Sequence, residues 1–414
     1  VYWNTTILFA RVLRGLALHS LFSTMKVAVG AIAGFAMLHV DDYPPSMSDR
    51  VAEPVASEYD GLDWNGYFFN VWFTDMMALK KKHGLKYTFY VVMNYGDAET
   101  GPDCDLNSPA ITAGKCVLAE RFRQIPGLDR DIELGFHGYN HEPMIDRSWP
   151  DLAMLERKLK LARDYWQEIV PGPQPVSFVP ANNWYHRDHI RILSQVFPEI
   201  SSICGLFSMG DFEYGEYREF GPEPWASSMM CLPRETYGYF LTTELSLRML
   251  SQISAMGIWT HFLHADDVYD MPAATGQTEY LRNPDARMWQ ASNAEGLRGL
   301  FPEFDEWITQ VRNRFPWLDF VTTSQAEKRL RVHLNNNIEV FTSDGSIEIH
   351  CLAESLFYVR TCEGISIHPE KKGQVIDRRP VEKGNLNIVK CAAGRNLFKL
   401  KGAGAPVGKT VPAH

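Results

Sequence analysis

Residues 35–45, FAMLHVDDYPP, begin as an apolar run and end in two adjacent aspartates and a proline turn. The run predicts a buried strand with Asp41 and Asp42 at its carboxyl end. Side chains alternate across a strand, so neighbouring carboxylates can share one face only if the backbone turns between them. A turn here would place two acidic groups side by side, where each can have a different chemical role.

Apolar strands and amphipathic helices alternate over most of the chain. Helices are predicted between the strands, and two of them end at Gly84 and Gly257. This alternation indicates a parallel sheet covered by helices, and the number of units predicts a (β/α) barrel in the α/β class. The predicted strands are residues 35–40, 86–93, 131–136, 176–180, 202–207, 228–232, 258–263 and 318–322.

The pattern changes after about residue 330. Polar and apolar residues alternate there, with turn sequences NNN and SDG and no helical period. We predict that residues 331–414 form a small antiparallel β domain, sandwich-like, with a flexible tail. Residues 1–330 are predicted to form the barrel domain, with residues 1–34 as its lead-in segment.

Composition excludes some partners. The net charge of -9 over 414 residues argues against binding to nucleic acid or to an anionic membrane surface. The uncharged run at residues 27–40 is shorter than the about 20 residues that a membrane helix needs, so a membrane-spanning protein is not expected. Seven cysteines include no CxxC pair, but Cys104 and Cys116 flank a polar loop and could form a disulfide.

Polar side chains also follow two other predicted strands. His137 and His141 come after residues 131–136, and His264 comes after residues 258–263. Ligands of parallel α/β barrels gather at the carboxyl ends of strands. Two histidines four apart on a helical turn, together with a carboxylate, can hold zinc or another divalent ion. Each motif alone could be a loop histidine or a turn cap, and their occurrence at three strand ends favours a site.

These motifs resemble those of the NodB-homology polysaccharide deacetylases. LHVDDYPP is similar to that family's first motif, ELGFHGYNH to its second and FLHADD to its last, and the likeness covers about residues 35–326. The resemblance implies a distorted NodB-like barrel. It also implies metal-dependent removal of acetyl groups from the amides of a polysaccharide.

The resemblance implies roles for individual residues. Asp42, His137 and His141 would bind the metal, most plausibly Zn²⁺, with Co²⁺ or Ni²⁺ as alternatives. Asp41 would be the general base and His264 the general acid. Substrate-binding residues are expected near the strand ends, namely Asn182, Asn183, Trp184, Tyr185, Asp211 and Asp266.

The sequence departs from the family at two positions. Val179 stands where the family has an arginine that braces the base, and Gly138 replaces a hydroxyl residue of the second motif. Asn182 or Asn183 could replace the arginine as a hydrogen-bond partner, but a neutral amide would not lower the pKa of the base as a cation would.

The departures resemble the divergent branch that acts on amino-sugar exopolysaccharides, such as the Pel deacetylase of bacteria and the galactosaminogalactan deacetylase of moulds. That likeness implies an N-acetylglucosamine or N-acetylgalactosamine polymer as substrate. It also implies an extracytoplasmic location, whether periplasmic, secreted or on the cell surface.

Other functions remain open from the sequence. The missing arginine would fit a non-catalytic carbohydrate-binding protein on a deacetylase scaffold, although binding alone needs no base and acid together. A metal-dependent O-acetyl esterase would use the same residues. A phosphoesterase is less favoured because no glycine-rich or basic phosphate loop is visible.

Overall fold

The structure is a computed structural model that describes residues 11–46, 49–95, 101–125, 131–206, 218–272, 281–343 and 345–402. A π-helical stretch, Tyr67–Trp72, joins the helices Trp64–Gly66 and Phe73–His83. Within the described residues, helices α1 to α10 are Arg14–Phe22, Val55–Glu58, Trp64–Gly66, Phe73–His83, Pro109–Gln124, Leu152–Ile169, Arg187–Val196, Thr243–Met256, Leu300–Arg314 and Thr323–Asn335.

The strands fall into one large sheet and two small ones. Every strand predicted from the sequence has a counterpart, although several are shorter than expected. Strands β1 to β18 are Val27–Ile32, Phe35–Tyr43, Tyr87–Val91, Ile132–Phe136, Ser177–Phe178, Ser202–Ile203, Gly221–Glu223, Ala226–Cys231, Thr236–Tyr237, Ile258–His264, Asp319–Phe320, Ile338–Ser343, Ser346–Cys351, Ser355–Cys362, Ser366–Lys371, Gln374–Val381, Gly384–Cys391 and Gly394–Lys401.

The large sheet has the order β7-β8-β6-β5-β4-β3-β2-β10-β9, and β11 pairs with the start of β2. All its pairings are parallel except that of β7 with β8. The α/β prediction is therefore confirmed. The predicted barrel needs a correction, because no pairing among the described strands joins the two ends of this order and the sheet stays open.

A short connection spans the gap between the two ends. Residues 232–235 carry the chain from β8 to β9. Along it, the Arg234 N–H donates to Gly205 O at 2.7 Å on one side, and the Glu235 N–H to Thr260 O at 3.3 Å on the other. The sheet is therefore curled enough for one stretch of backbone to contact the segment after β6 and strand β10 at the same time. This curling brings the connection close to the strand ends that carry the predicted site.

Local sequence signals account for the helix boundaries. Gly84 and Gly257, with φ of 60° and 66°, end α4 and α8 in the left-handed region, as predicted. The Thr242 hydroxyl accepts from the Leu245 N–H at the start of α8. These ends place β10 directly after α8.

The central strands are buried on both faces. β3 and β10 are buried at every position, and β2 at all but one. Their near-continuous apolar sequences thus reflect helices packed on both sides of the sheet. The two carboxylates of β2 and the last histidine of β10 lie at the carboxyl ends of these strands, whereas Thr88, Thr260 and His261 are buried within them.

The C-terminal strands form two antiparallel sheets, β1-β14-β17-β16 and β12-β13-β18-β15. Ile347, Phe357, Val389 and Phe398 belong to the apolar core that the two sheets share. Two antiparallel sheets packed over one apolar core form a β-sandwich. The tail from residue 403 lies outside the described residues.

The predicted lead-in segment requires a correction. Val27–Ile32 is β1, which pairs antiparallel with β14 of the C-terminal sandwich. Val27, Val29 and Ala31 pack against the sandwich core, so the alternation of this strand matches the sheet that it joins. Before it, the Gly15 N–H donates to the Ser251 hydroxyl at 3.0 Å, which ties α1 to α8.

Two further expectations from the sequence are a possible disulfide between Cys104 and Cys116 and the absence of a membrane-spanning helix. Cys104 and Cys116 are free thiols, and the Cys104 Sγ instead lies 2.9 Å from the Nζ of Lys158. The suggested disulfide is therefore absent. Among the helices that the structure describes, none combines the length and apolar character required to cross a bilayer.

Candidate metal centre and catalytic site

Three polar segments meet at the carboxyl ends of β2, β4 and β10. Asp41 of β2 and His264 of β10 occupy paired positions of adjacent strands. The loop that follows β4 contributes His137 and His141. The predicted clustering at strand ends is therefore present.

The backbone turns between the two aspartates, as their adjacency requires. Asp42 has a φ of 55°, in the left-handed region, and the pairing of β2 with β3 shifts register between Val40 and Tyr43. Because of this turn, the carboxylates of Asp41 and Asp42 both lie near the His264 ring, with oxygens 3.9 Å and 4.0 Å from its Nε2.

Asp42, His137 and His141 form a compact group of possible ligands. The Oδ1 atom of Asp42 lies 3.4 Å from the Nε2 of His137 and 3.1 Å from the Nε2 of His141. Ligand atoms bound about 2.1 Å from a tetrahedral Zn²⁺ are about 3.4 Å apart. The observed spacing therefore fits a divalent ion of that size.

The tautomer of His137 supports the same fit. Its Nδ1 lies 2.7 Å from the Val179 carbonyl oxygen, which can only accept, so Nδ1 carries the proton. Neutral His137 then presents an unprotonated Nε2 to Asp42 Oδ1, a buried oxygen without a hydrogen-bond partner among the described residues. Two acceptors face each other, which is the arrangement that a cation between them resolves.

The protonation states also suit a metal. Burial would raise the pKa of Asp42, but the surrounding histidines, among them His264 with its raised pKa, hold the pKa of Asp42 below its usual value. Partial burial lowers the pKa of His141 to about 4, against the attraction of Asp42. At neutral pH the group therefore consists of a carboxylate and a neutral imidazole, the forms that bind metals.

The histidines do not lie on a helical turn, which corrects the sequence interpretation. Residues 137–141 are an irregular loop, in which Gly138 and His141 have φ of 99° and 55°. Backbone bonds from Met93 N to Gly138 O and from Asn94 N to Tyr139 O hold this loop against the end of β3. Loop folding brings the two rings to a centroid distance of 4.9 Å.

Asp41 is paired with an arginine that the sequence interpretation missed. The Nη1 of Arg234 donates to Asp41 Oδ2 at 2.5 Å, and its Nη2 donates to Asn183 Oδ1 at 2.6 Å. Burial alone would raise the pKa of Asp41, but Arg234, His137 and His264 together hold that pKa below its usual range, and Arg234 contributes most to this lowering. Asn183 thus contacts the guanidinium instead of replacing it. Arg234 follows the predicted strand 228–232, so the strand-end criterion could have found it.

His264 is oriented from the side opposite the aspartates. Its Nδ1 lies 3.0 Å from Asp267 Oδ1 and 2.5 Å from Arg282 Nη1. This nitrogen can either donate a proton to Asp267 or accept one from Arg282, but it cannot do both. Arg282 Nε itself binds Asp267 Oδ1 at 2.9 Å, so we assign the Nδ1 proton to the Asp267 contact. Burial and Arg282 oppose the charged imidazole, yet Asp267 raises the pKa of His264 above its usual value.

The residues predicted to bind substrate differ from one another in burial and in their contacts. Asn182 and Trp184 are exposed in the turn after β5, whereas Asn183 binds Arg234. Tyr185 is buried, and its hydroxyl donates to Glu223 Oε2 at 2.8 Å, which assigns this ring to the core.

The two aspartates predicted to bind substrate are Asp211 and Asp266. Asp211 lies outside the described residues. Asp266 is adjacent to the site, with a buried Oδ1 atom 4.0 Å from Arg282 Nη2, and burial raises its pKa. Its neighbour Asp267, which the sequence interpretation did not select, is the carboxylate that contacts His264.

A family model described as "Uncharacterised protein conserved in bacteria (DUF2194)" matches residues 1–379. The chain belongs to this family. The match includes the whole α/β sheet, both aspartates, the histidine loop, Arg234 and His264. No curated protein matches this DUF2194 chain.

Three solved structures are similar at low identity. A Mycobacterium smegmatis protein assigned as a polysaccharide deacetylase is 14% identical with a TM-score of 0.41, and covers 73% of this chain and 91% of its own. A Bordetella bronchiseptica protein assigned as a polysaccharide deacetylase involved in O-antigen biosynthesis is 15% identical, with a TM-score of 0.34 and coverage of 68% and 92%. A family 4 acetyl xylan esterase from Clostridium thermocellum, solved with a cobalt ion, is 12% identical, with a TM-score of 0.34 and coverage of 71% and 90%.

The geometry of this DUF2194 chain separates three chemical functions. One carboxylate and two imidazoles can hold an ion, a second carboxylate is ionised and braced by a guanidinium, and an imidazole with a raised pKa faces both carboxylates. A braced carboxylate and an imidazole with a raised pKa beside one ion site are suited to general acid–base hydrolysis.

Proposed function

We propose that the protein is a metal-dependent deacetylase that hydrolyses the acetamide of an N-acetylhexosamine polymer and releases acetate. The observation that carries the proposal is the contact of Arg234 with Asp41 directly beside the group formed by Asp42, His137 and His141. The contact supplies the cation that the sequence motif lacks at Val179.

The acetamide presents two chemical problems, a weakly electrophilic carbonyl and a poor leaving group. A divalent ion held by Asp42, His137 and His141 would polarise the acetyl oxygen and lower the pKa of a water molecule beside it. We assign Zn²⁺ as the most suitable ion because two imidazoles and one carboxylate with an open position match its preferences.

Asp41 serves as the base in this proposal. Arg234 occupies Oδ2, while Oδ1 is buried and has no hydrogen-bond partner among the described residues. Oδ1 is therefore the atom that accepts a proton from the attacking water. The low pKa keeps this oxygen ionised at neutral pH, so that it is ready to accept.

His264 serves as the acid. The Asp267 contact leaves Nε2 facing the site, and the raised pKa favours the protonated ring at neutral pH. Nε2–H can then donate to the sugar nitrogen as the carbon–nitrogen bond breaks. Such a proton transfer is worth roughly 100-fold or more in rate.

The non-catalytic alternative was suggested by the absence of an arginine next to the base. Arg234 removes that reason, since a buried charge pair at a base and an oriented acid are unnecessary for carbohydrate binding alone.

The identity of the hexosamine is also part of the proposal. The likeness to the Pel and galactosaminogalactan branch makes N-acetylgalactosamine oligomers one of two substrates to assay, and an extracytoplasmic location would place the protein with such polymers.

Acetate release tests the proposal. The purified chain, first freed of metal and then supplied with Zn²⁺, is incubated with acetylated oligomers of glucosamine and of galactosamine. We expect release from at least one of them, loss of release after chelation and recovery when Zn²⁺ is added back. Saccharide binding without acetate release under any metal condition would support the non-catalytic alternative.

A further inference from the structure

A second group of metal-ligating side chains lies outside the proposed active site. Asp146, His186 and His189 offer a carboxylate oxygen and two ring nitrogens, all within 4.8 Å of one another. Asp146 lies in the loop beyond His141. His186 precedes α7, and His189 lies in the first turn of that helix.

His189 presents an unprotonated nitrogen to this cluster. The side chain is fully buried, and its Nε2 lies 3.1 Å from the Trp149 carbonyl oxygen, which can only accept. Nε2 therefore carries the proton in the neutral ring. The Nδ1 atom has no hydrogen-bond partner among the described residues and lies 3.7 Å from Asp146 Oδ1. A buried acceptor that faces a carboxylate is unfavourable unless a cation lies between them.

His186 presents the same kind of atom from the other side. Its Nδ1 lies 3.3 Å from Asp146 Oδ2, and it also accepts from the Asp146 backbone N–H at 3.3 Å. Because the backbone N–H is the donor, this Nδ1 carries a lone pair, and binding an ion would exchange this 3.3 Å hydrogen bond for a metal–nitrogen bond. Two imidazole acceptors thus converge on one carboxylate.

The spacing fits a small divalent ion. Ligand atoms on a tetrahedral Zn²⁺ are about 3.4 Å apart. The Nδ1 atoms of His186 and His189 lie 3.3 Å and 3.7 Å from different oxygens of Asp146, Oδ2 and Oδ1, so an ion between the two rings is within reach of both carboxylate oxygens. His189 donates its other N–H to a backbone carbonyl, the contact that commonly orients a metal-bound histidine. His137 makes the equivalent contact in the proposed active site.

We propose that Asp146, His186 and His189 bind a second divalent transition-metal ion, Zn²⁺ or one of similar preferences, that is separate from the active-site ion. Two imidazoles favour such an ion over Mg²⁺ or Ca²⁺. The Asp146 side chain is 78% exposed, so the ion has a direct path from solvent and water can complete its coordination.

The position of this ion gives it a structural role. Met144 N donates to Trp184 O at 3.1 Å, and His186 N donates to Met144 O at 2.8 Å, so the loop and the turn before α7 already lie side by side. The ion adds a cross-link between them. One segment carries His141 and the other carries Asn183, which holds Arg234, so the cross-link restrains both sides of the proposed active site.

The competing interpretation is an ion pair without metal. In that case a protonated His186 would form an ion pair with Asp146. The N-terminal end of α7 would further stabilise the negative charge of the Asp146 carboxylate. The two interpretations differ in the number of ions per chain. His189 is buried and its replacement could prevent folding, so the test uses the two exposed or half-buried members, Asp146 and His186.

Zn²⁺ binding to the full metal-free chain is measured by titration against a chromophoric chelator and by elemental analysis after desalting. We expect two ions per chain for the wild type and one each for Asp146→Asn and His186→Ala. Asp188→Asn is the matched control, because Asp188 is an exposed carboxylate in the same turn of α7 that pairs with Arg191. This control should retain both ions.

His141→Ala separates the two sites. It should remove the active-site ion alone, and its combination with Asp146→Asn should leave no bound Zn²⁺. If Asp146→Asn and His186→Ala each keep the wild-type amount, the second site does not exist. A wild type with one ion that Asp146→Asn removes and His141→Ala spares would support the second site and contradict the proposed active site.

Discussion

Arg234 Nη1 lies 2.5 Å from Asp41 Oδ2, and both side chains are almost completely buried although 193 residues separate them. The same guanidinium donates to Asn183 Oδ1 at 2.6 Å. Arg234 is therefore fixed by two partners, and it in turn fixes one oxygen of the proposed base. The other oxygen of Asp41 is the only one left for proton transfer.

Arg234→Gln should lower turnover by about 100-fold, because a misplaced base costs roughly that factor. Zn²⁺ content should stay at the wild-type value, since Arg234 is not a predicted ligand. Without the cation the pKa of Asp41 rises, so the acid limb of the pH–rate profile should move to higher pH. Breaking the buried pair should also lower the free energy of unfolding by about 3 kcal/mol.

The control for this variant is Arg248→Gln, which removes a guanidinium that pairs with Glu235, the residue next to Arg234, at 3.2 Å. It should leave turnover and the acid limb unchanged. Wild-type activity in folded Arg234→Gln would show that the contact with Asp41 has no role in catalysis.

Asp267→Asn should shift the alkaline limb of the pH–rate profile to lower pH. The Asp267 carboxylate raises the pKa of His264, so its removal lowers that pKa and His264 loses its proton earlier as pH increases. Asp270→Asn is the comparison, because Asp270 also binds Arg282 but is not in contact with His264. An alkaline limb that stays in place or moves upward in Asp267→Asn would contradict the assignment of His264 as the acid.

His264→Ala should impair amide and ester hydrolysis to different extents. A departing amine requires a proton, whereas the leaving group of an activated aryl acetate does not. We expect the largest loss with an acetamide and the smallest with the aryl acetate, at unchanged Zn²⁺ content. Equal losses on both substrates would exclude His264 as the proton donor.

Trp184→Ala and Tyr185→Phe should separate substrate contact from packing. Trp184 is 37% exposed near the site, so its loss should raise KM by about fivefold, as for a stacking contact of about 1 kcal/mol. The buried Tyr185 hydroxyl binds Glu223, and its loss should lower the free energy of unfolding by about 1.5 kcal/mol with KM unchanged. KM and thermal unfolding are measured for both variants, and the reverse pattern would contradict these positions.

The strands and the grouping of Asp42 with His137 and His141 could be predicted because their signals are local. Apolar runs mark the strands, and a polar residue after a strand lies at a known edge of the sheet. The four-residue spacing of His137 and His141 correctly indicated that the two rings lie close together, but the helical turn inferred from it is wrong. A loop with φ of 55° at His141, not a helical turn, brings the rings together.

The strand-end rule could have selected Arg234 as a site residue, but its pairing with Asp41 could not be predicted in the same way. The family motif directs attention to Val179, whereas the observed arginine lies on the connection from β8 to β9. Only the curling of the sheet brings that connection to the end of β2, and curvature leaves no local pattern in sequence. The burial of Tyr185 is equally a product of packing, since its hydroxyl partner Glu223 lies on β7.

The division of labour between the adjacent carboxylates is tested most directly by acetate release from an acetamide substrate, measured together with Zn²⁺ content in Asp41→Asn and Asp42→Asn. Both variants are compared with the wild type at matched folding, judged by circular dichroism. Asp41→Asn keeps the shape and the ion but loses the proton acceptor, so it should retain Zn²⁺ and lose nearly all turnover. Asp42→Asn should lose Zn²⁺ and turnover together. Near wild-type acetate release by folded Asp41→Asn would contradict the proposed mechanism.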